Sequence, residues 1–214
     1  MVHISEARGG GNDPANALYL TTDIGLSNEN TLKFIRKVTE IGIPLTVFIT
    51  GEAIRDYPEI VKEISQLDVQ IGNHTWTHKS IVNNMSADEI LSEIKTMEKA
   101  YYEFTGKQMD KIVRLPEGIF SISVLDTLKN AGYKTVFWGC TYADWNQNSQ
   151  PSYEEAWDTL NARTRKESIV LLHAFSKCNA DNINKFIANW KEQGYTFRPL
   201  QRCFDSWMEE GNHL

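Results

Sequence analysis

The sequence predicts an α/β fold, a distorted (β/α) barrel with about seven parallel strands. Short apolar, β-branched segments alternate with longer segments of helical pattern through nearly the whole chain, which is typical of parallel βα units. The chain has 214 residues, of which 41% are hydrophobic. This length accommodates one sizeable core, and seven units make a barrel somewhat smaller than the usual eightfold one.

Each predicted strand is a short apolar run bounded by polar residues. The strands are predicted at 17–22, 43–50, 69–71, 111–114, 134–138, 168–172 and 195–197. The helices between them are predicted at 29–41, 52–66, 86–104, 121–131, 152–163 and 179–193. Ser86 and Ser152 each stand three residues before a glutamate, which is the pattern of a capping box, and Ser27 is the expected N-cap of the first helix.

Residues 1–16 are polar and contain three consecutive glycines, so we expect a flexible arm there. They contain no apolar segment of the kind found in signal peptides. Residues 17–214 are expected to form a single domain.

Composition argues against several classes of function. A net charge of -6 is unfavourable for binding nucleic acid or an anionic membrane surface. No apolar run approaches the roughly 20 residues that a membrane span needs. Three scattered cysteines are too few for a disulfide framework or a zinc finger. The sequence contains no nucleophile elbow, P-loop or dinucleotide-binding glycine motif.

Polar side chains capable of chemistry follow the predicted strands at their C-terminal ends, where parallel α/β folds hold their active sites. These residues are Asp23, His74, Arg114, Asp144 and His173. His78 follows His74 by four residues, and on a helical turn this spacing places two imidazoles on one face, where they can bind one metal ion. Water or a third donor would have to complete that site. The spacing alone leaves open that both histidines are surface or core residues without a ligand.

Each remaining candidate has a chemical and a structural interpretation. Asp23 can act as a general base or metal ligand, or stabilise an Asx-turn. Arg114 can orient a carboxylate by a bidentate pair, or form a structural salt bridge. Asp144 next to His173 favours the protonated imidazole that a general acid needs, although His173 also suits a buried, satisfied histidine. Trp145 can stack on a sugar ring or pack in the core. A metal, a base and a separate acid together suit metal-assisted hydrolysis of an amide or ester.

Five motifs in order then point to a family. They are Thr21-Thr22-Asp23-Ile24-Gly25, His74-Thr75-Trp76-Thr77-His78, Arg114-Leu115-Pro116-Glu117-Gly118, Tyr142-Ala143-Asp144-Trp145 and Leu171-Leu172-His173. From about residue 17 to 205 the chain resembles the polysaccharide deacetylase family (carbohydrate esterase family 4, the NodB-homology domain). Segments 118–121, 135–138 and 193–197 resemble the peptidoglycan N-acetylmuramic acid deacetylases of spore-forming bacteria.

The resemblance implies a catalytic domain that hydrolyses the acetamide of an N-acetylated glycan, most closely the N-acetylmuramic acid of peptidoglycan. It implies that Asp23, oriented by Arg114, is the general base and that His173, tuned by Asp144, is the general acid. His74 and His78 would bind a divalent metal, zinc or alternatively cobalt. Glu117, whose backbone N–H would help to stabilise the oxyanion, and Trp145 would contact the substrate. The family also implies a protein that is exported or associated with the cell wall.

The chain departs from the family pattern at three positions. Ile24 replaces a metal-binding aspartate, so we expect weak metal affinity. Glu117 adds negative charge where relatives often carry tyrosine or arginine, and Leu115 replaces a proline. The alternative function is therefore a catalytically impaired, glycan-binding homologue that lost a metal ligand at Ile24.

Overall fold

The computed structural model describes residues 16–79 and 85–209. Residues 1–15 of the predicted arm lie outside this part of the chain. Asn16 is bonded to the last strand, because its carbonyl accepts a hydrogen bond of 3.0 Å from the N–H of Thr196.

Strands and helices alternate as the sequence predicts, and the predicted fold class is confirmed. The strands are β1 (Ala17–Ile24), β2 (Leu45–Ile49), β3 (Gln70–Asn73), β4 (Ile112–Val113), β5 (Lys134–Thr135), β6 (Ile169–Leu171) and β7 (Thr196–Phe197), and they belong to one seven-stranded sheet. The helices are α1 (Glu29–Glu40), α2 (Gly51–Asp56), α3 (Pro58–Ile64), α4 (Ala87–Thr105), α5 (Ile122–Asn130), α6 (Tyr153–Arg163), α7 (Lys177–Glu192) and α8 (Leu200–Glu209). No helix in the described part of the chain is long and apolar enough to cross a membrane.

The described residues pack into two compact units. Unit 1 contains residues 23–27, 47–79 and 85–137, and the neighbouring strands β3, β4 and β5 lie within it. Here β4 pairs in parallel with both β3 and β5. Helices α4 and α5 bury their apolar stripes together with residues of β4 and the loops around β5. This core comprises Ile90, Ile94, Val113, Leu115, Val124, Leu125, Leu128, Tyr133 and Phe137.

Unit 2 contains residues 16–22, 28–46 and 138–209. In it β1 is flanked by two parallel neighbours, with Tyr19 opposite Ile169 of β6 and Ala17 opposite Thr196 of β7. The ring of Trp190 is completely buried and lies edge-on to Phe197, 5.9 Å between centroids. Its indole N–H donates to the Thr164 hydroxyl at 2.9 Å, so the largest apolar side chain of α7 also has its polar atom satisfied.

The helix starts show where local sequence reasoning succeeds. Both predicted capping boxes, at Ser86 and Ser152, are present. The predicted N-cap Ser27 is wrong, because Asn28 caps α1 and forms a capping box with Thr31. The Ser27 hydroxyl is instead buried and has no hydrogen-bond partner among the described residues. An asparagine next to a serine offers the same kind of oxygen one residue later, and sequence alone does not separate the two.

Other boundaries differ for identifiable reasons. The helical segment predicted at 52–66 forms two helices, since α2 ends at Asp56 and α3 begins at Pro58, a residue that favours the first turn of a helix. The predicted strands at 111–114 and 134–138 shorten to the two residues each of β4 and β5. The sequence reasoning did not predict α8.

Candidate active site

Asp23 lies near the C-terminal end of β1 and is 6% exposed, while Arg114 directly follows β4 and is completely buried. The Arg114 Nη1 donates to Asp23 Oδ1 at 2.8 Å. The guanidinium also lies over the Phe48 ring, 4.3 Å from its centroid. Burial lowers the pKa of Arg114, and the Asp23 charge opposes that effect. The arginine therefore holds the Asp23 carboxylate in one orientation.

His74 directly follows β3 and is also buried. Its Nδ1 lies 2.7 Å from the carbonyl oxygen of Arg114. Because a carbonyl only accepts hydrogen bonds, Nδ1 carries the proton and Nε2 presents a lone pair. Burial lowers the pKa of His74 to about 4, so the ring is neutral near pH 7. Nε2 lies 3.6 Å from Asp23 Oδ2.

The two histidines predicted as a pair do lie together, with ring centroids 4.8 Å apart. The helical turn that the spacing suggested is wrong. Thr75 and His78 have φ values of 69° and 50°, so the segment is a loop that turns through the left-handed region twice. The His78 N–H donates to the Thr75 hydroxyl at 3.2 Å, which closes this turn and brings the second imidazole back toward the first.

Glu93 on α4 anchors this histidine loop, and the sequence reasoning missed it. Its Oε2 accepts hydrogen bonds from the backbone N–H groups of Trp76 (3.1 Å) and Thr77 (2.8 Å) and from the Thr77 hydroxyl (3.0 Å). A single carboxylate oxygen thus satisfies two backbone donors in a strained turn. The only signal in the sequence is a polar residue directly before the buried Ile94 of α4, which is a common pattern for an amphipathic helix.

Asn73 anchors the other end of the loop. Its Oδ1 accepts from the Thr75 N–H at 2.9 Å, and its Nδ2 donates to the Ile94 carbonyl at 2.9 Å. Gly51 makes room for Trp76, because a Cβ at position 51 would lie 2.1 Å from the indole ring. The loop that carries the histidine pair is therefore fixed from several sides.

The donor set of this region partly fits a divalent metal. Two imidazoles stand together, and at least His74 is in the neutral tautomer that binds metals. Over residues 16–79 and 85–209, however, no three His, Cys, Asp or Glu side chains are grouped so as to hold an ion. Ile24 is completely buried and provides no donor atom. The pair therefore fits as an incomplete ligand set, fewer than the three protein ligands usual for catalytic zinc.

Unit 2 contains the predicted Asp144–His173 couple. Asp144 is completely buried; its Oδ1 lies 2.7 Å from His173 Nδ1, and its Oδ2 accepts from the His173 backbone N–H at 2.7 Å. The His173 side chain is 21% exposed. Because the carboxylate is the acceptor, Nδ1 carries a proton, and Nε2 is the ring nitrogen that can exchange one. The carboxylate thus orients the His173 ring, and the role of His173 as the general acid remains a prediction.

A second residue that the sequence reasoning missed completes the couple. Asn179 in the first turn of α7 is completely buried, and its Nδ2 donates to Asp144 Oδ2 at 2.6 Å. In the sequence it is one of several asparagines in a predicted helix. Its proximity to His173, six residues earlier, is the only signal that could have singled it out.

Glu117 and Trp145 are both at the surface. Glu117 has φ 58° within a short 3-10 turn, and Gly118 follows with φ 67°, so the backbone at the predicted oxyanion position is in an unusual conformation. Trp145 is 64% exposed, which excludes its alternative interpretation as a core residue. Leu115, which replaces the family's proline, packs in the core of unit 1. The substrate-binding roles of Glu117 and Trp145 remain predictions.

Comparison with known proteins agrees with these motifs. The family model described as polysaccharide deacetylase matches residues 10–136. The peptidoglycan-N-acetylmuramic acid deacetylase PdaA of Bacillus subtilis is 35% identical over 190 residues, which is 89% of this chain and 72% of PdaA. The solved structure of B. subtilis PdaA, described as a family 4 carbohydrate esterase, superposes with a TM-score of 0.83 at 34% identity, covering 91% of this chain and 82% of that one.

Two Bacillus anthracis structures extend the comparison. A family 4 carbohydrate esterase has a TM-score of 0.74 at 31% identity, covering 89% of this chain and 83% of that one. A pseudoenzyme of the same family has a TM-score of 0.80 at 20% identity, covering 89% and 66%, and this likeness concerns the fold alone. Since the family model spans more than half of the sequence and PdaA exceeds 30% identity over most of both chains, this protein belongs to the polysaccharide deacetylase family.

Proposed function

We propose that this protein is a hydrolase that removes the acetyl group from an N-acetylated glycan by breaking the amide C–N bond. The observation that carries the proposal is a pair of buried carboxylates with different partners. Asp23 is paired with a guanidinium, which favours a permanent carboxylate, whereas Asp144 is paired with an imidazole, which favours a protonated ring. A carboxylate held by a guanidinium and an imidazole held by a carboxylate are groups suited to act as the base and the acid of one reaction.

In the proposed reaction Asp23 accepts a proton from the attacking water, while the hydrogen bond from Arg114 Nη1 to Oδ1 holds its carboxylate in place. The oxygen of that water forms a bond to the acetyl carbon. His173 donates its Nε2 proton to the leaving nitrogen as the C–N bond breaks. The products are acetate and the free amine of the sugar. The likeness to PdaA supports N-acetylmuramic acid in peptidoglycan as the acetylated sugar.

The experiment that tests this function compares acetate release by the parent protein and His173→Gln, with peptidoglycan glycan strands as substrate. We expect kcat to fall by about 100-fold, toward the lower end of general acid–base effects, because solvent can reach the partly exposed ring and replace part of its role. Lys177→Gln on the exposed start of α7 is the control and should keep the parent rate. A parental rate in His173→Gln would contradict the assignment of the acid.

The alternative function, glycan binding without turnover, is favoured by one observation, the buried Ile24 in place of a carboxylate. The acetate-release assay distinguishes this function from deacetylation. A parent protein that binds glycan strands but releases no acetate, even with added zinc or cobalt, would support the alternative.

Because the proposed substrate lies in the cell wall, we also propose that the protein acts there. Its recovery only from the cytosol on fractionation would contradict this.

We further propose that His74 and His78 hold a divalent ion, zinc or cobalt, with water completing the ligand set. When bound, such an ion polarises the acetyl carbonyl and makes a water more acidic. The neutral His74 with its Nε2 lone pair supports the assignment. Ile24 contributes no donor, so we propose that the affinity is low.

Calorimetric titration with zinc tests this assignment. We expect the parent to bind one equivalent weakly and His78→Ala to bind at least ~10–100-fold more weakly, the loss expected even for a residue that supports a ligand. His173→Gln is the matched control, because it removes an imidazole from unit 2 and should leave the titration unchanged. Equal binding by the parent and His78→Ala would show that zinc binds elsewhere.

A further inference from the structure

We propose that Asn179 is a positioning residue for the general acid: its amide keeps the Asp144 carboxylate aligned with the His173 imidazole, and Tyr142 fixes the direction in which this amide faces. The inference rests on the proposed role of His173 in the deacetylation. It adds Asn179 and Tyr142, two residues to which the family resemblance assigns no role. All four side chains belong to unit 2, and Asn179, Asp144 and Tyr142 are buried.

The orientation of the Asn179 amide is determined by its neighbours. Its nitrogen faces two groups that only accept hydrogen bonds, Asp144 Oδ2 at 2.6 Å and the His173 carbonyl at 3.0 Å. Its oxygen faces the Tyr142 hydroxyl at 2.6 Å. Burial raises the pKa of Tyr142 and the Asp144 charge raises it further, so the phenol keeps its proton and donates it. Donor and acceptor assignments on both sides of the amide therefore agree.

The Asp144 carboxylate needs this second contact to hold its plane. Oδ2 accepts from the His173 backbone N–H and from Asn179 Nδ2, while Oδ1 bonds to His173 Nδ1. With Asn179 absent, Oδ2 would keep only the backbone donor, and the carboxylate could rotate and carry Oδ1 out of line with the ring. The same amide also binds the His173 carbonyl, so one side chain ties together the carboxylate and the residue that it orients.

The positioning role of the Asn179 side chain can be tested separately from the contribution of this residue to helix α7. Asn179 also occupies the first turn of α7, where its backbone N–H donates to the N-cap Ser176. That contact uses the main chain, so a change of the Asn179 side chain leaves the helix cap in place. Tyr142→Phe removes a single oxygen from a buried ring and removes the donor that directs the amide. Asn182→Ala is the matched control, since Asn182 on the same helix donates to the Cys178 carbonyl.

The test combines proton NMR of the free protein labelled with ¹⁵N-histidine and steady-state kinetics of acetate release. In the parent we expect a downfield His173 Nδ1–H signal, and in Asn179→Ala an upfield-shifted or broadened one. We expect kcat to fall ~10–100-fold in Asn179→Ala, the equivalent of one hydrogen bond to a charged group, with KM nearly unchanged. Tyr142→Phe should shift the signal in the same direction with a loss of less than about tenfold, since it breaks a neutral bond. Asn182→Ala should match the parent in both measurements.

The two measurements separate this inference from the proposed function. A parental NMR signal and kcat in Asn179→Ala would overturn the positioning role while leaving the deacetylase assignment intact. If the parent itself released no acetate, the proposed deacetylase function would be contradicted. The NMR comparison would still decide whether Asn179 positions the Asp144 carboxylate. If Asn179→Ala failed to fold, Tyr142→Phe would decide it, because a parental signal and kcat in that variant would overturn the inference.

Discussion

Replacing Arg114 with leucine is expected to lower the free energy of unfolding by about 3–5 kcal/mol, the usual cost of breaking a buried ion pair from one side. Arg114 is completely buried, and Asp23 is nearly so. Leucine would fill part of the space over Phe48 but would leave the Asp23 carboxylate without its guanidinium partner. Denaturant unfolding of the parent and Arg114→Leu measures the effect.

Two further variants show whether the unpaired charge is the cause. Arg114→Leu combined with Asp23→Asn should recover part of the lost stability, because the buried carboxylate is then absent. Arg55→Leu is the control, since Arg55 forms an ion pair with Asp56 on the surface, and such a pair contributes at most about 1 kcal/mol. Equal losses in Arg114→Leu and Arg55→Leu, or no recovery in the double variant, would show that the buried pair does not stabilise the fold.

Arg114 also illustrates which part of the site could be predicted from the sequence. The sequence places Asp23, His74 and Arg114 just after predicted strands, and the parallel pairing of the sheet then brings their side chains to one edge within unit 1. That inference needs only the alternation of strand and helix and the common direction of the strands. It tolerates errors of one or two residues in the strand limits, which is why the shortening of β4 to Ile112–Val113 did not affect it.

The residues that the sequence did not reveal are those whose roles depend on contacts far along the chain. Glu93 and Asn179 lie on helices, where a polar residue normally faces solvent, and no local pattern distinguishes them. Glu93 reaches back 16 and 17 residues to the histidine loop, and Asn179 reaches 35 residues to Asp144. The loop conformation was equally hidden, since the spacing of His74 and His78 fits a helical turn as well as the left-handed turn that is present.

The largest expected effect on activity is that of Asp23→Asn, for which we predict a loss in kcat of ~10⁴-fold, at the upper end for general acid–base groups. Asparagine keeps an oxygen that can accept from Arg114 Nη1, so Oδ1 retains its hydrogen bond. The position of Oδ2 would then be taken by an amide nitrogen, which has no basic lone pair and points its hydrogens at His74 Nε2, 3.6 Å away. The variant thus replaces the base by a group unable to accept a proton.

The loss should exceed that of His173→Gln, because solvent water can replace an acid at a partly exposed ring but not a carboxylate that is held by a buried arginine. Asp126→Asn on the exposed side of α5 is the control and should release acetate at the parent rate. The comparison is made below the melting temperature of each protein, with KM and kcat measured separately. Unfolding of a variant is then not mistaken for a loss of catalytic activity. A fall of less than about tenfold in Asp23→Asn, below the usual range for a general base, would mean that another group takes the proton, and that the bond between Asp23 and Arg114 serves the fold alone.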